Sequence, residues 1–184
     1  MKSLLLIMLT SISFNIFGQK YNMTHFNKLT EVEGTPYVIA GVDERNKIEN
    51  KRLSYLLFIN TNDKKTHEVN FGVGGYYLNV EQIKIDELYI NSILVSAKTL
   101  DWNSKNGIDG EDPTQLFVLS VDGKTKTLLT PSSFYVQKWV VNKQSGTLTV
   151  TGFPDLNQNR KLDKSEFSQI EIYDLKTLKL IHKI

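Results

Sequence analysis

The sequence predicts an all-β fold of about three four-stranded antiparallel repeats. Three observations lead there. After residue 20 the apolar runs are short, rich in β-branched and aromatic residues, and bounded by Gly, Asn, Asp and Pro. No segment in that range sustains a helical period. Two stretches also align without gaps at a constant offset of 54 residues, as from Asp101 to Asp155. A fixed period of this length is the mark of a repeat architecture.

The chain has 184 residues and a formal charge of +2. Its apolar content suffices for one sizeable core. The charge lacks the basic surplus of a nucleic-acid binder. There is no Cys, which excludes disulfides, thiolate metal sites and a thiol nucleophile.

Met1-Lys2-Ser3, the apolar run Leu4 to Leu9 with Ile12, Phe14, Ile16 and Phe17, and the small residue Gly18 before Gln19 form the pattern of a secretory leader. Ser11, Ser13 and Asn15 interrupt the run, and a stable membrane span needs about 20 apolar residues. Cleavage is expected at Gly18-Gln19, leaving residues 19–184 as one domain with no membrane span and a secreted or periplasmic location. The ending "SFNIFGQ" resembles leaders of secreted bacterial proteins. Export places a chain where calcium is abundant and free thiols are a liability.

The repeats run approximately over 20–72, 73–130 and 131–184. In the first, Thr35 onward is a degenerate copy with Asp43 in the place of Asp101. In the second, Asp122-Gly123 predicts a hairpin between Phe117–Val121 and Thr125–Leu129. Thr61-Asn62-Asp63 and Asp174-Leu175-Lys176 hold the matching places in the other copies. In the third, Val136, Trp139, Val140 and Val141 make one strand. Leu148 and Val150 alternate in the next, Ile170 and Ile172 in a third, and Leu178, Leu180 and Ile184 close the copy. Each repeat is thus four strands with a long insertion between the second and third. This pattern resembles β-propeller blades with calcium loops between strands. Propellers typically have 4–8 blades, so either the sheets pack as an irregular β-assembly, or two chains complete a larger ring, or the repeats are not blades. Covering the exposed edges by self-association is one solution.

The most informative stretch is Asp155 to Glu166, D-L-N-Q-N-R-K-L-D-K-S-E. Counting within this loop, side-chain oxygens fall at positions 1, 3, 5, 9 and 12: Asp155, Asn157, Asn159, Asp163 and Glu166. Lys161 at position 7 offers its backbone carbonyl. Position 8 is the apolar Leu162, and Phe167 follows the loop. Calcium takes six to eight hard oxygen ligands, and a chain curling around it presents alternate side chains inward. The loop resembles the EF-hand calcium loop, which implies Ca²⁺ as cofactor with Glu166 closing the sphere. It departs from that pattern at position 6, where Arg160 replaces Gly, and in its flanks, which read as strands. Arg160, Lys161 and Lys164 crowd the carboxylates, so binding is expected to be weak, around 10⁻⁴–10⁻³ M.

Asp101, Asn103, Asp109 and Asp112 repeat the pattern in the second copy, with Lys105 at position 5 and a shorter carboxylate at position 12. They form a second candidate metal loop. Asp43-Glu44-Arg45-Asn46-Lys47 has lost the spacing and reads as a solvated loop.

Other constellations carry less. His25, His67 and His182 are not spaced for zinc. No nucleophile elbow marks a Ser. Gly72-Val73-Gly74-Gly75 lacks a following Lys-Ser/Thr pair and reads as a connector. Tyr76, Tyr77, Tyr89, Phe134, Tyr135 and Trp139 read as packing residues. The sequence-based expectation is therefore a secreted, non-enzymatic calcium-binding protein in which the metal is mainly structural. The alternative is a glycan- or protein-binding module of partial propeller type.

Overall fold

The computed structural model describes residues 23–46, 51–103 and 107–184. The expected leader and its cleavage boundary lie outside the described residues, as does Lys105. The described chain is all-β, with three open four-stranded antiparallel sheets and one short 3-10 turn. The first sheet is a meander of β1 (Met23–Glu31), β2 (Tyr37–Asn46), β3 (Lys51–Asn60) and β4 (Thr66–Asn70). The second holds β5 (Tyr76–Ile85), β6 (Ile90–Lys98), β7 (Gln115–Leu119) and β8 (Lys126–Leu128). The third holds β9 (Phe134–Asn142), β10 (Thr147–Pro154), β11 (Gln169–Asp174) and β12 (Lys179–Lys183). No helix among the described residues is long and apolar enough to cross a membrane.

The turns that set these registers are made by side-chain oxygens. Asn60 Oδ1 accepts the N–H of Asn62, Asn142 Oδ1 that of Gln144, and Asp174 Oδ1 those of Lys176 and Thr177. Such bonds hold the backbone in a tight reversal where no ladder partner exists. At the Asp122-Gly123 turn, Gly123 takes φ 73° and its N–H donates to the Ser120 carbonyl. A Cβ there would stand 2.6 Å from the Phe58 ring. The tip of the second sheet thus presses on the first, and only Gly permits the approach.

The second sheet is covered on both faces. Ile93, Val95, Ala97, Phe117 and Leu119 pack with Ile39, Leu56, Phe58, Val69 and Phe71 of the first sheet and its flanks. The alternate residues Leu94, Leu116 and Val118 pack with Phe134, Val136, Leu148, Val150 and Tyr173 of the third. This explains why β7 is buried at every position while β10 alternates. Each fully buried side chain of this size contributes about 1.5–3 kcal/mol of transfer free energy. The two cores together therefore dominate cohesion between the sheets.

The insertion between the second and third strands is present in the second and third sheets. In the first sheet β2 continues through Asn46 and pairs into β3, so Asp43 sits inside a strand opposite Ser54. Its Oδ2 accepts the Asn27 side-chain amide at 2.7 Å. Asp43 to Asn46 therefore form a ladder instead of the expected solvated loop.

Candidate metal centre

β10 ends at Pro154, and the Asp155 N–H donates to the Ser133 carbonyl at 2.8 Å, which anchors the start of the loop. From there the chain winds on its own side chains. The Asp155 carboxylate accepts the N–H groups of Asn159 and Arg160, both at 3.1 Å. Asn157 Oδ1 accepts the Asn159 N–H at 3.0 Å, and Asn159 Oδ1 accepts the Lys161 N–H at 2.8 Å. Asp163 Oδ1 accepts the N–H and hydroxyl of Ser165, and Glu166 Oε2 accepts the Asp163 N–H at 2.6 Å. Asn157, Asn159 and Asp163 reach N–H groups two residues ahead, Asp155 those four and five ahead, and Glu166 the one three residues back. Gln158 and Arg160 absorb the reversal at φ 57° and 58°, a backbone region that costs a non-Gly residue about 1–2 kcal/mol.

Three of the five oxygen-bearing side chains touch. Asn159 Nδ2 donates to Asp163 Oδ2 at 2.7 Å, and Asn157 Nδ2 approaches the same oxygen at 3.4 Å. The Ser165 hydroxyl and N–H, then the Asn159 amide, hold Asp163 well below the usual carboxylate range. A cation entering here would displace the amide hydrogens from Asp163 and take the amide oxygens in their place. The donor set is chemically suited to a hard cation: three carboxylates, two amide oxygens and the Lys161 carbonyl. Among the described residues no three His, Asp or Glu side chains converge as a ready cluster, so the amides are essential to the set. Leu162 and Phe167, the apolar positions of the pattern, are exposed here.

The loop from Asp101 to Asp112 repeats the closing half of this network. Asp112 Oδ2 accepts the Asp109 N–H at 2.8 Å, as Glu166 does that of Asp163, and Asp109 Oδ1 accepts the Glu111 N–H at 2.8 Å, as Asp163 does that of Ser165. The remainder differs. Asp112 is 3% exposed, and its second oxygen accepts the Trp102 N–H at 2.7 Å. The Lys98 ammonium lies beneath and donates to the carbonyls of Gly110, at 2.8 Å, and Asp112. Burial lowers the Lys98 pKa, and Asp112 and Asp109 oppose that shift. The Tyr76 hydroxyl donates to the Asp109 carbonyl at 3.1 Å. One repeat later, Gly152 stands at the Lys98 position, where a Cβ would lie 2.1 Å from the Tyr135 carbonyl. No side chain can support the third-sheet loop from that place. Sequence reasoning overlooked Lys98; its one signal was a cation ending the apolar strand Ile-Leu-Val-Ser-Ala.

Asp101 and Asp155, the first residues of the two loops, border one cleft of about 450 Å³ together with Trp102, Ser133, Gln158 and Arg160. Trp102 meets Tyr135 edge to face, with ring centroids 4.6 Å apart. Asn103 is half-buried beside it. Desolvation, then Asp112, Asp155 and Glu166, raise the Tyr135 pKa, so carboxylates of both loops act on this one phenol.

No family model matches the chain, and no curated protein matches it. Among solved structures it is similar to an acylaminoacyl peptidase of Pyrococcus horikoshii (orthorhombic crystal form), with TM-score 0.48 and 10% identity over 88% of this chain and 25% of that one. The chain thus spans about a quarter of the length of the protein it matches. The expectation of a non-enzymatic protein does not stand beside a match titled a peptidase, and the missing nucleophile motif in the sequence does not exclude activity. That expectation is withdrawn.

Proposed function

We propose that residues 155–166 bind one calcium ion and that the protein is an exported, calcium-stabilised repeat protein whose sheets follow one another as propeller blades do. One observation carries the reading: oxygens of Asp155, Asn157, Asn159, Asp163 and Glu166 accept the N–H groups of Asn159, Arg160, Lys161, Asp163 and Ser165 within one loop. Asp155, Asn157, Asn159, Asp163 and Glu166 would hold the ion, with the Lys161 carbonyl as a sixth donor. Calcium would neutralise the carboxylates and order a long exposed loop, whose backbone otherwise costs about 1–2 kcal/mol per residue to fix. The second loop, Asp101, Asn103, Asp109 and Asp112, is assigned a weaker role, because Lys98 already supplies a cation there.

Calorimetric titration with calcium, next to thermal melts in chelator and in calcium, tests this. Binding should fall near 10⁻⁴–10⁻³ M. At ten times the dissociation constant the gain is about 1.4 kcal/mol, or roughly 3–5 °C for a chain of this size. Neither heat nor a melting shift at 10 mM calcium, roughly ten times the weakest expected constant, would sink the reading. A second reading, a glycan- or protein-binding module, is favoured by the cleft between the loops. A ligand screen that protects Trp102 fluorescence in chelator would support it.

A further inference from the structure

Resting on the second reading above and not on the calcium ion, we propose that the cleft between the two long loops binds a neutral saccharide. Asp101, Asp155, Gln158 and Arg160 hold its hydroxyls, and its carbon skeleton lies against Leu100 and Trp102. The cleft measures about 450 Å³, within the roughly 300–1,000 Å³ of small-molecule sites. Three segments wall it. The loop of the second sheet contributes Asp101 and Trp102, and the loop of the third sheet contributes Asp155, Gln158 and Arg160. The link between these two sheets contributes Ser132 and Ser133.

The lining selects its ligand by hydrogen-bonding balance. A sugar hydroxyl both donates and accepts, and the walls offer partners of both kinds. Asp101 and Asp155 accept only, Arg160 donates only, and Gln158, Ser132 and Ser133 do either. Asp155 receives the Asn159 and Arg160 N–H groups on different oxygens, and a carboxylate has about four acceptor sites, so capacity remains. An anionic ligand would meet two carboxylates against one guanidinium. A largely apolar ligand would strip water from these groups and leave them unpaired, at about 1–3 kcal/mol each. A peptide adding as a strand needs an open strand edge, whereas these walls are loops and a link between strands.

Several of the walls are set before any ligand arrives. Trp102 packs edge to face on Tyr135, and the buried Asp112 carboxylate accepts its backbone N–H. The Asp155 carboxylate is fixed by two N–H groups of its own loop, and its backbone N–H donates to the Ser133 carbonyl, which ties that loop to the link. Groups already ordered cost less to immobilise on binding. Asp101 and Asp155 hold the same repeat position, so the fold brings the first residues of two successive loops to one opening.

Calorimetric titration of the protein purified from the full chain, in chelator, tests the proposal. The neutral probes are cellotetraose, maltotetraose, xylotetraose and mannotetraose, and the acidic one is tetragalacturonate. At least one neutral probe should bind with a dissociation constant of about 1 mM or tighter. It should also change Trp102 emission in a Trp139→Phe background, where Trp102 is the remaining tryptophan. Arg160→Gly and Asp101→Asn should each weaken that binding at least about fivefold, with an unchanged β-sheet circular dichroism spectrum. Arg160→Gly separates the saccharide from the metal, since it should tighten calcium while loosening the sugar. No heat from any neutral probe at roughly 10 mM, ten times the weakest expected constant, would overturn the proposal. So would tetragalacturonate binding more tightly than all four, or a neutral probe indifferent to both variants. The calcium site and a protein partner for the cleft are read separately, by the calcium titration and the ligand screen.

Discussion

The two long loops share a spacing and half a hydrogen-bond network, yet they solve the same electrostatic problem differently. The loop of the second sheet is tied down from inside. Asp112 is buried and satisfied by two N–H groups, and the Lys98 ammonium holds two of the loop's carbonyls. The loop of the third sheet has glycine at the matching place, lies exposed from Leu156 to Ser165 with Glu166 buried, and spends its amides on Asp163. A built-in cation makes a loop part of the core, whereas a loop without one stays dependent on its own polar groups or on an ion from solution. At one repeat position, Lys98 against Gly152, the first loop gains an internal cation that the second lacks.

Removing the built-in cation should have the largest effect. Lys98→Met deletes charge-assisted bonds to the Gly110 and Asp112 carbonyls in a buried place, so a loss of about 2–3 kcal/mol is expected in urea unfolding. Calcium should not restore it, because Lys105 occupies position 5 of that loop. Rescue by calcium would show the loops to be alike. Glu166→Gln comes next. It should lower calcium affinity at least tenfold, about 1.4 kcal/mol, while barely changing stability in chelator, since the amide oxygen can still accept the Asp163 N–H. Equal calcium uptake by this variant and wild type would reduce the loop to an ordinary turn.

Arg160→Gly should raise stability by at most about 1 kcal/mol, because Gly takes the left-handed backbone at φ 58° without a Cβ clash. It should also tighten calcium binding modestly by removing a nearby cation, which the same titration reads. Asn159→Ala is milder than Glu166→Gln: roughly threefold weaker binding, about 0.7 kcal/mol, since water can replace one neutral ligand. The smallest effect concerns pH. Asp163 has a folded pKa depressed from 3.8, so its contribution is complete above that value and is lost as pH falls through the lower folded one. Carbon-detected NMR of the Asp163 carboxyl should find it still ionised at pH 3.8. A midpoint at that pH would mean the Ser165 and Asn159 bonds do not persist in solution.

Much of this architecture was legible from local chemistry. Asp122-Gly123, Thr61-Asn62-Asp63 and Asp174-Leu175-Lys176 all mark hairpins because side-chain capping and glycine's backbone freedom act within a few residues. The alternation of Leu148 and Val150 announced a strand with one buried face. The loop at Asp155 was visible as a spacing, and Asp155, Asn157, Asn159, Asp163 and Glu166 do share one network.

The chain's own sequence determined the strands, the turns, the three sheets and the order of oxygen donors, because each depends on groups close along the backbone. Tertiary structure decided what those pieces became. The apolar runs of β6 and β7 mark burial but not that different sheets cover their two faces. Asp43 matched a loop position in sequence and lies in a ladder, because β3 pairs along the full length of β2. Asp112 and Glu166 match at position 12, yet only Asp112 accepts a second backbone N–H and lies in a loop held by an ammonium from the core. Burial, cross-sheet contact and the field at a carboxylate arise between residues distant in sequence, so a linear pattern can name the candidates but not distinguish a loop that carries its own cation from one that does not.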